Sequence, residues 1–507
     1  MKDSISQSRG TFINLITGIL TMAVQLIVNF FLSPYIVRTL GEEANGFTQL
    51  ANNFVSYATL ITLAFNSMAG RFMSVHYHRG EHKKVKEYYS SVTICNIIIS
   101  LILLPICIYI IVRLDNIISI GNSDVSDVKV LFTCVFANYF ISLILSIFSM
   151  SMFVTNRLYV QNVINLGRNV LNALILLCVF AVFPPHMYYV SLVSLILAMG
   201  SVPIYAILQR RILPEIHFER SYFRFHAVVE LLKAGIWNTV NQCGNMLMTG
   251  LDLLLTNWFI DAATMGILSV AKTIPNAIVS LANVLNTSFA PELTINWAKG
   301  DKQGIVKQLR RSMKISSVIL SIPIVTFCTF AVHFYSLWQP TLDPRMLSAL
   351  SFLTMMALIP FSGTQTLYNV FTATNQLKKN SLTFILGGSL NILIVFIILK
   401  CTTIGVYAVA GVSSCITIIR NLVFVVPYTA KLLGLKWTTF YKDVCISLIT
   451  ALISYTVSKM AVRIVNPHTW ILLAVSAASV CVVTFVIDLF VILNMEERKI
   501  LIHKLKR

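Results

Sequence analysis

Four cationic side chains, Arg38, Arg168, Lys272 and Arg420, lie in or at the ends of long apolar stretches, set chiefly against the acids Asp252 and Asp488. A guanidinium grips a phosphate or carboxylate through paired N–H donors, and an ammonium does so as a point charge. That balance points to anion binding inside an apolar medium. Arg168 and Lys272 sit too far inside their stretches for the charged head to snorkel back to water easily. Arg38 follows Pro34 and reads either as an interfacial anchor or as a ligand. Arg420 either reaches water at the end of its stretch or lines a cavity. Asp252 could bind a coupling cation or pair with a base, and the pair is favoured because no second acid stands near it in a stretch. Asp488 has no partner that the sequence reveals.

Neutral hydrogen-bonding groups recur around these charges. Asn14, Thr17, Thr21, Gln25 and Asn29 are spaced by three and four residues, which puts them on one face of a helix. Asn238, Asn241, Asn245, Thr249 and Asp252 repeat that spacing, as do Asn45, Gln49, Asn52, Ser56 and Thr59. Ser269, Lys272, Asn276 and Asn283 form a further set, and Asn162, Asn165, Asn169 and Asn172 flank Arg168. Amides inside a membrane serve either as glue between helices or as the lining of a hydrated cavity. Stripes of this length favour the cavity. The candidate ligands are therefore Arg38, Arg168, Lys272, Arg420, Gln25, Asn52, Asn241 and Asn245, with Asp252 as a coupling or pairing acid.

The elements that must position them are membrane helices. About 20 apolar residues in a helix cross the roughly 30 Å hydrocarbon layer, and a helix satisfies its own backbone there. Such stretches lie near 11–36, 47–69, 89–113, 130–154, 161–183, 187–209, 228–258, 263–291, 311–338, 346–372, 379–400, 404–430, 441–462 and 469–494. Hydrophobic residues make up 56% of the 507 and charged residues 12%, which excludes an ordinary soluble domain. The net charge of +19 would suggest nucleic acid in a soluble protein. Here it is sorted into every second loop. Of the 39 Lys and Arg, only Arg38, Arg113, Lys129, Arg345, Lys400, Lys459 and Arg463 fall in the other loops. By the positive-inside rule both termini, including the basic run from Arg498 to Arg507, are expected in the cytoplasm. The first stretch is too long for a cleavable signal sequence and leads straight into another span. Pro105, Pro275, Pro323 and Pro360 are expected kinks, and His333, Tyr335 and Trp338 expected interfacial anchors. The ten cysteines are scattered without metal-ligand spacing, so neither a zinc nor a redox site is expected.

The chain also matches itself at a shift of 220 residues. Gly46 falls on Gly266, Ala51 on Ala271, Asn66 on Asn286, Gly80 on Gly300, and the stripe around Gln25 on that around Asn245. Both copies then share one orientation, which implies a parallel repeat. The expected fold is an all-α polytopic membrane protein with six-helix lobes over 1–215 and 216–436. Two further helices and a basic tail occupy 437–507.

Ser33-Pro34-Tyr35-Ile36-Val37-Arg38-Thr39-Leu40-Gly41, followed by Asn45-Gly46-Phe47, resembles the N-terminal signature of bacterial polysaccharide (O-antigen and capsule repeat-unit) flippases. Leu251-Asp252-Leu253-Leu254-Leu255 with Gly266-Ile267-Leu268-Ser269-Val270-Ala271 resembles the second half of that group, as does Arg420–Tyr428 leading into Leu433–Trp437. The chain looks like a Wzx-type member of the multidrug/oligosaccharidyl-lipid/polysaccharide exporter superfamily. The resemblance implies a non-enzymatic carrier without cofactor in the bacterial cytoplasmic membrane, whose lobes rock about a central cationic cavity. Its cargo would be an undecaprenyl-diphosphate-linked glycan, and a polysaccharide polymerase and chain-length machinery the protein partners. A cation antiporter of the same fold and a peptidoglycan-precursor flippase are the alternatives. The antiporter needs intramembrane acids, of which the sequence offers mainly Asp252 and Asp488.

Overall fold

The computed structural model describes residues 2–492, so the basic run from Arg498 to Arg507 lies outside the described residues. The first helices are α1 (Lys2–Leu40), α2 (Glu42–His78), α3 (His82–Val112), the single turn α4 (Leu114–Ile117) and α5 (Val125–Val154). They continue with α6 (Leu158–Val182), α7 (Tyr189–Ile212), α8 (Phe225–Asn245), α9 (Asp252–Phe259), α10 (Ala262–Ala271) and α11 (Thr273–Ala298). The rest are α12 (Lys302–Trp338), α13 (Pro344–Met355), α14 (Leu358–Phe361), α15 (Tyr368–Ala373), α16 (Leu377–Cys401), α17 (Val406–Arg420), α18 (Val426–Leu432), α19 (Tyr441–Val465) and α20 (Trp470–Val491). No strand occurs among the described residues.

Every apolar stretch falls on these helices. Ten helical segments among the described residues are long and apolar enough to cross a membrane, and the pair α10–α11, bent by 41°, makes eleven. The stretches 47–69, 228–258 and 346–372 are more polar or are broken into shorter helices. α3 and α12 run on through Pro105 and Pro323 without a break. Breaks do fall beside Pro275 and Pro360.

The duplication is visible in turn chemistry. α2 ends with Gly80 at φ 75°, Glu81 N–H donating to the His76 carbonyl (2.9 Å) and Gly80 N–H to that of Tyr77 (3.0 Å). α11 ends with Gly300 at φ 70°, Asp301 N–H donating to Asn296 (3.1 Å) and Gly300 N–H to Trp297 (3.0 Å). Both are Schellman closures, which need a left-handed residue that glycine supplies without strain. Asn156 (φ 56°) and Asn375 (φ 54°) close α5 and α15 in the same way, now 219 residues apart.

The helices gather into two compact units, Met1–Met246 with Leu253–Gly266, and Leu247–Asp252 with Ile267–Arg507. In unit 1, α2 packs against α3, α5 and α8, and Phe65, Met73, Tyr88, Met150 and Leu231 share its core. Close approach there depends on Gly235, where an added Cβ would run into the Ala64 carbonyl. Gly235→Ala is expected to cost about 1–3 kcal/mol by overpacking. Gly200→Ala, which meets open space inside α7, should instead stabilise by about 0.5–1 kcal/mol in thermal unfolding in detergent.

In unit 2, α12 packs against α11, α13, α19 and α20. Its C-terminal turns bury Tyr335 and Trp338 completely, and Tyr335 Oη lies 2.6 Å from Ser351 Oγ of α13. These two are core residues rather than interfacial anchors, because α12 extends far enough for α13 to pack over them.

Candidate functional site

The stripe on α1 divides into two parts. Its first turns are glue. Asn14 Nδ2 donates to Asn156 Oδ1 (2.9 Å), its Oδ1 accepts from Tyr159 N–H (2.7 Å), and Asn162 Nδ2 donates to Thr17 Oγ1 (3.1 Å). Thr21 Oγ1 closes the set by donating to the Asn162 carbonyl (3.0 Å). These contacts fix α1 to α6. Beyond them Gln25 and Asn29 are exposed, and Gln25 Nε2 donates to Asn29 Oδ1 (3.2 Å).

On α2, Asn45 is buried while Gln49, Asn52 and Ser56 are exposed. Asn52 Nδ2 and Ser56 Oγ donate to carbonyls of their own helix (2.9 and 3.0 Å), so neither is committed to another helix by these bonds. Asn245 of α8 is exposed and Asn241 half-buried. Arg38 is exposed at the end of α1, and Arg168 is half-buried in α6. Neither makes a hydrogen bond or ion pair with a described residue.

Lys272 and Asp252 are brought together in unit 2 by two irregularities. Met246–Gly250 form a π turn, and Lys272 stands at the bend between α10 and α11. A π turn carries one residue more than an α turn and displaces carbonyls from the regular ladder. Asn391 Nδ2 donates to the Met248 carbonyl (2.9 Å) and Lys272 Nζ to that of Thr249 (3.1 Å). Lys272 Nζ also reaches Asp252 Oδ2 at 2.5 Å, the aspartate being buried and the lysine largely so. Asp252 is thus one half of an ion pair.

Arg420, the last residue of α17, is buried with neutral partners only. Its Nη1 donates to Tyr368 Oη (3.0 Å), Nε to Thr383 Oγ1 (3.3 Å) and Nη2 to Asn380 Oδ1. Its Cζ lies 3.5 Å from the centre of the Phe384 ring, a cation–π contact. A second π turn, Asn421–Val425, comes at once, and Tyr368 Oη donates to Asn421 Oδ1 (2.7 Å). Asn380, Thr383, Phe384 and Asn391 all lie on the stretch 379–400, which spacing alone did not single out. A polar residue every few positions there was the available signal. An ammonium cannot reproduce the planar fork, so Arg420→Lys is expected to lose about 1–3 kcal/mol in thermal unfolding, with Phe384→Leu losing less.

The family described as polysaccharide biosynthesis protein matches residues 8–297, more than half of the chain. The chain belongs to that family. This polysaccharide biosynthesis protein is 26% identical over 500 residues to the uncharacterized membrane protein EpsK of Bacillus subtilis (strain 168), 98% of each chain being covered. Among solved structures it is similar to a multidrug resistance MATE transporter of the MOP superfamily in an inward-facing conformation. The TM-score is 0.69 at 10% identity, covering 83% of this chain and 98% of that one. It is also similar to the lipid II flippase MurJ in an inward closed conformation, with a TM-score of 0.65 at 14% identity over 96% and 98% of the two chains. At such identities these likenesses show the fold alone. The expected all-α polytopic class and the resemblance to polysaccharide exporters are both borne out at that level.

Proposed function

We propose that this family member is a flippase that moves a polyprenyl-diphosphate-linked oligosaccharide from the cytoplasmic to the outer leaflet of a bacterial cytoplasmic membrane by alternating access. Both termini lie in the cytoplasm on this reading. The observation that carries it is Arg168, a half-buried guanidinium within a membrane helix that no described residue neutralises. A diphosphate is the complementary ligand, held in bidentate fashion, with Arg38 as a second contact. The exposed amides Gln25, Asn52 and Asn245, with Asn241 beside them, suit the sugar headgroup. Burying a hydroxyl without a partner costs roughly 2–7 kcal/mol, so unaided flipping of a glycan is negligible and a polar lining is what makes it possible.

The membrane potential favours export of an anion. At about 2.3 kcal/mol per charge per 100 mV, two charges gain roughly 4–5 kcal/mol. A cation antiporter is less well supported, because Asp252 is already held by Lys272.

The deciding experiment is a deletion strain in which lipid-linked glycans are followed by leaflet-specific labelling. Accumulation of undecaprenyl-diphosphate repeat units on the cytoplasmic side, with loss of surface polysaccharide, is the expected result. Accumulation of peptidoglycan precursor instead would identify the other lipid-diphosphate cargo. Intact polysaccharide with new sensitivity to cationic dyes would overturn the reading.

A further inference from the structure

Asp488 lies on α20, beyond the duplicated halves, and has no part in the proposed cargo site. α20 packs against α12 and α19. The Phe334 and Trp470 rings lie 6.0 Å apart and Cys481 Sγ is 3.9 Å from Thr326 Oγ1, so α20 runs antiparallel to α12. Phe485 and Leu489 pack with Ile315, Ile319 and Phe289, which sets Asp488 at that level. Its exposure is 0%, and neither carboxylate oxygen has a hydrogen-bond partner among the described residues. The buried hydroxyls of Ser316, Ser454, Ser458 and Thr484, on the same three helices, are unpartnered as well.

Charged groups on the neighbouring helices are Lys302, Lys307, Arg310, Arg311, Lys314 and His333 on α12, Lys442, Asp443, Lys459 and Arg463 on α19, and Glu292 on α11. Asp488 bonds to none of them. Arg311 is taken by Glu292 at 2.8 Å, and Arg310 Nε lies 3.9 Å from Asp443. A carboxylate this deep without donors is strongly disfavoured unless a cation joins it. A sodium ion needs several oxygens converging on one point, whereas a proton needs only the carboxylate.

We propose that Asp488, buried on α20, is a proton-binding site that couples transport to the proton gradient. The carboxylate takes a proton from hydronium, forming an O–H bond and releasing water, and returns it to water when α20 shifts. The coupling rests on the flippase reading, but the binding chemistry does not.

The test uses the wild-type protein in lipid vesicles and dicyclohexylcarbodiimide, an apolar reagent that captures protonated carboxyls, with the adduct located by mass spectrometry. The expected result is an adduct at Asp488 that falls about tenfold per pH unit once the group titrates. It should be unaffected by sodium at fixed pH and lost in Asp488→Asn. No adduct, an adduct independent of pH, or protection by sodium would each overturn the proton site. An Asp488→Asn protein that exports with the wild-type pH dependence would overturn the coupling alone. Because labelling requires no glycan, it stands even if the cargo assignment fails.

Discussion

Asp252→Leu is expected to destabilise the protein by about 3–5 kcal/mol, the cost of stranding one member of a buried ion pair. Lys272 would keep its bond to the Thr249 carbonyl but lose the carboxylate 2.5 Å away, leaving a cation with 12% of its side chain exposed. Lys272→Met should cost a similar amount, since it removes the cation facing the buried Asp252 carboxylate and the donor to a carbonyl of the π turn. Combining the two removes both charges, and apolar replacements of a buried pair are commonly neutral or stabilising. The double variant should therefore unfold close to the wild type, with a coupling of several kcal/mol in the thermal cycle. Additive losses would show that the pair does not interact. The same double variant tests whether Lys272 also touches cargo: retained polysaccharide export assigns it to structure, and lost export in a stable protein assigns it to binding.

Arg168→Ala should have the opposite profile. The residue makes no hydrogen bond or ion pair with a described residue, so its removal is expected to leave the unfolding temperature and membrane insertion unchanged. A charged hydrogen bond to a diphosphate is worth about 1.5–3 kcal/mol, so export should fall roughly 10- to 100-fold. Arg168→Lys keeps the charge without the fork and should fall in between. Full export by an inserted Arg168→Ala protein would remove the residue from the cargo site.

Much of this was legible because membrane helices declare themselves by length and by the sorting of Lys and Arg. The duplication was legible because Gly80 and Gly300 stand at the same left-handed turn, where glycine carries no strain. What could not be read was anything that departs from the regular helix. The stripe from Asn238 to Asp252 assumes an unbroken 3.6-residue period, but the π turn at Met246–Gly250 rotates the residues after it, leaving Asn245 exposed and Asp252 buried. Asn14 and Gln25 share a helix face, yet only Asn14 hydrogen-bonds to α6, although α6 runs on beside α1 as far as the Tyr35–Phe180 ring contact, and spacing does not say which polar residue finds a partner. Arg420 depended on Asn380, Thr383 and Tyr368, on other helices, whose approach no local pattern encodes.

The fixed offset between matching turns also works as a ruler for how the two halves diverged. It reads 220 at Gly80 and Gly300 but 219 at Asn156 and Asn375, a net difference of one residue across the interval. That near-equality hides a larger exchange. α3 has 31 residues and is succeeded by the loop holding α4, whereas its counterpart α12 has 37 and passes almost directly into α13. One copy kept the segment as loop, and the other wound it into about 9 Å of additional helix. That added length carries Tyr335 and Trp338, so a segment that is loop in one copy belongs to a hydrophobic core in the other. The exchange falls at the ends of α3 and α12 opposite the glycine turns, where chain length can pass between loop and helix without disturbing the crossings.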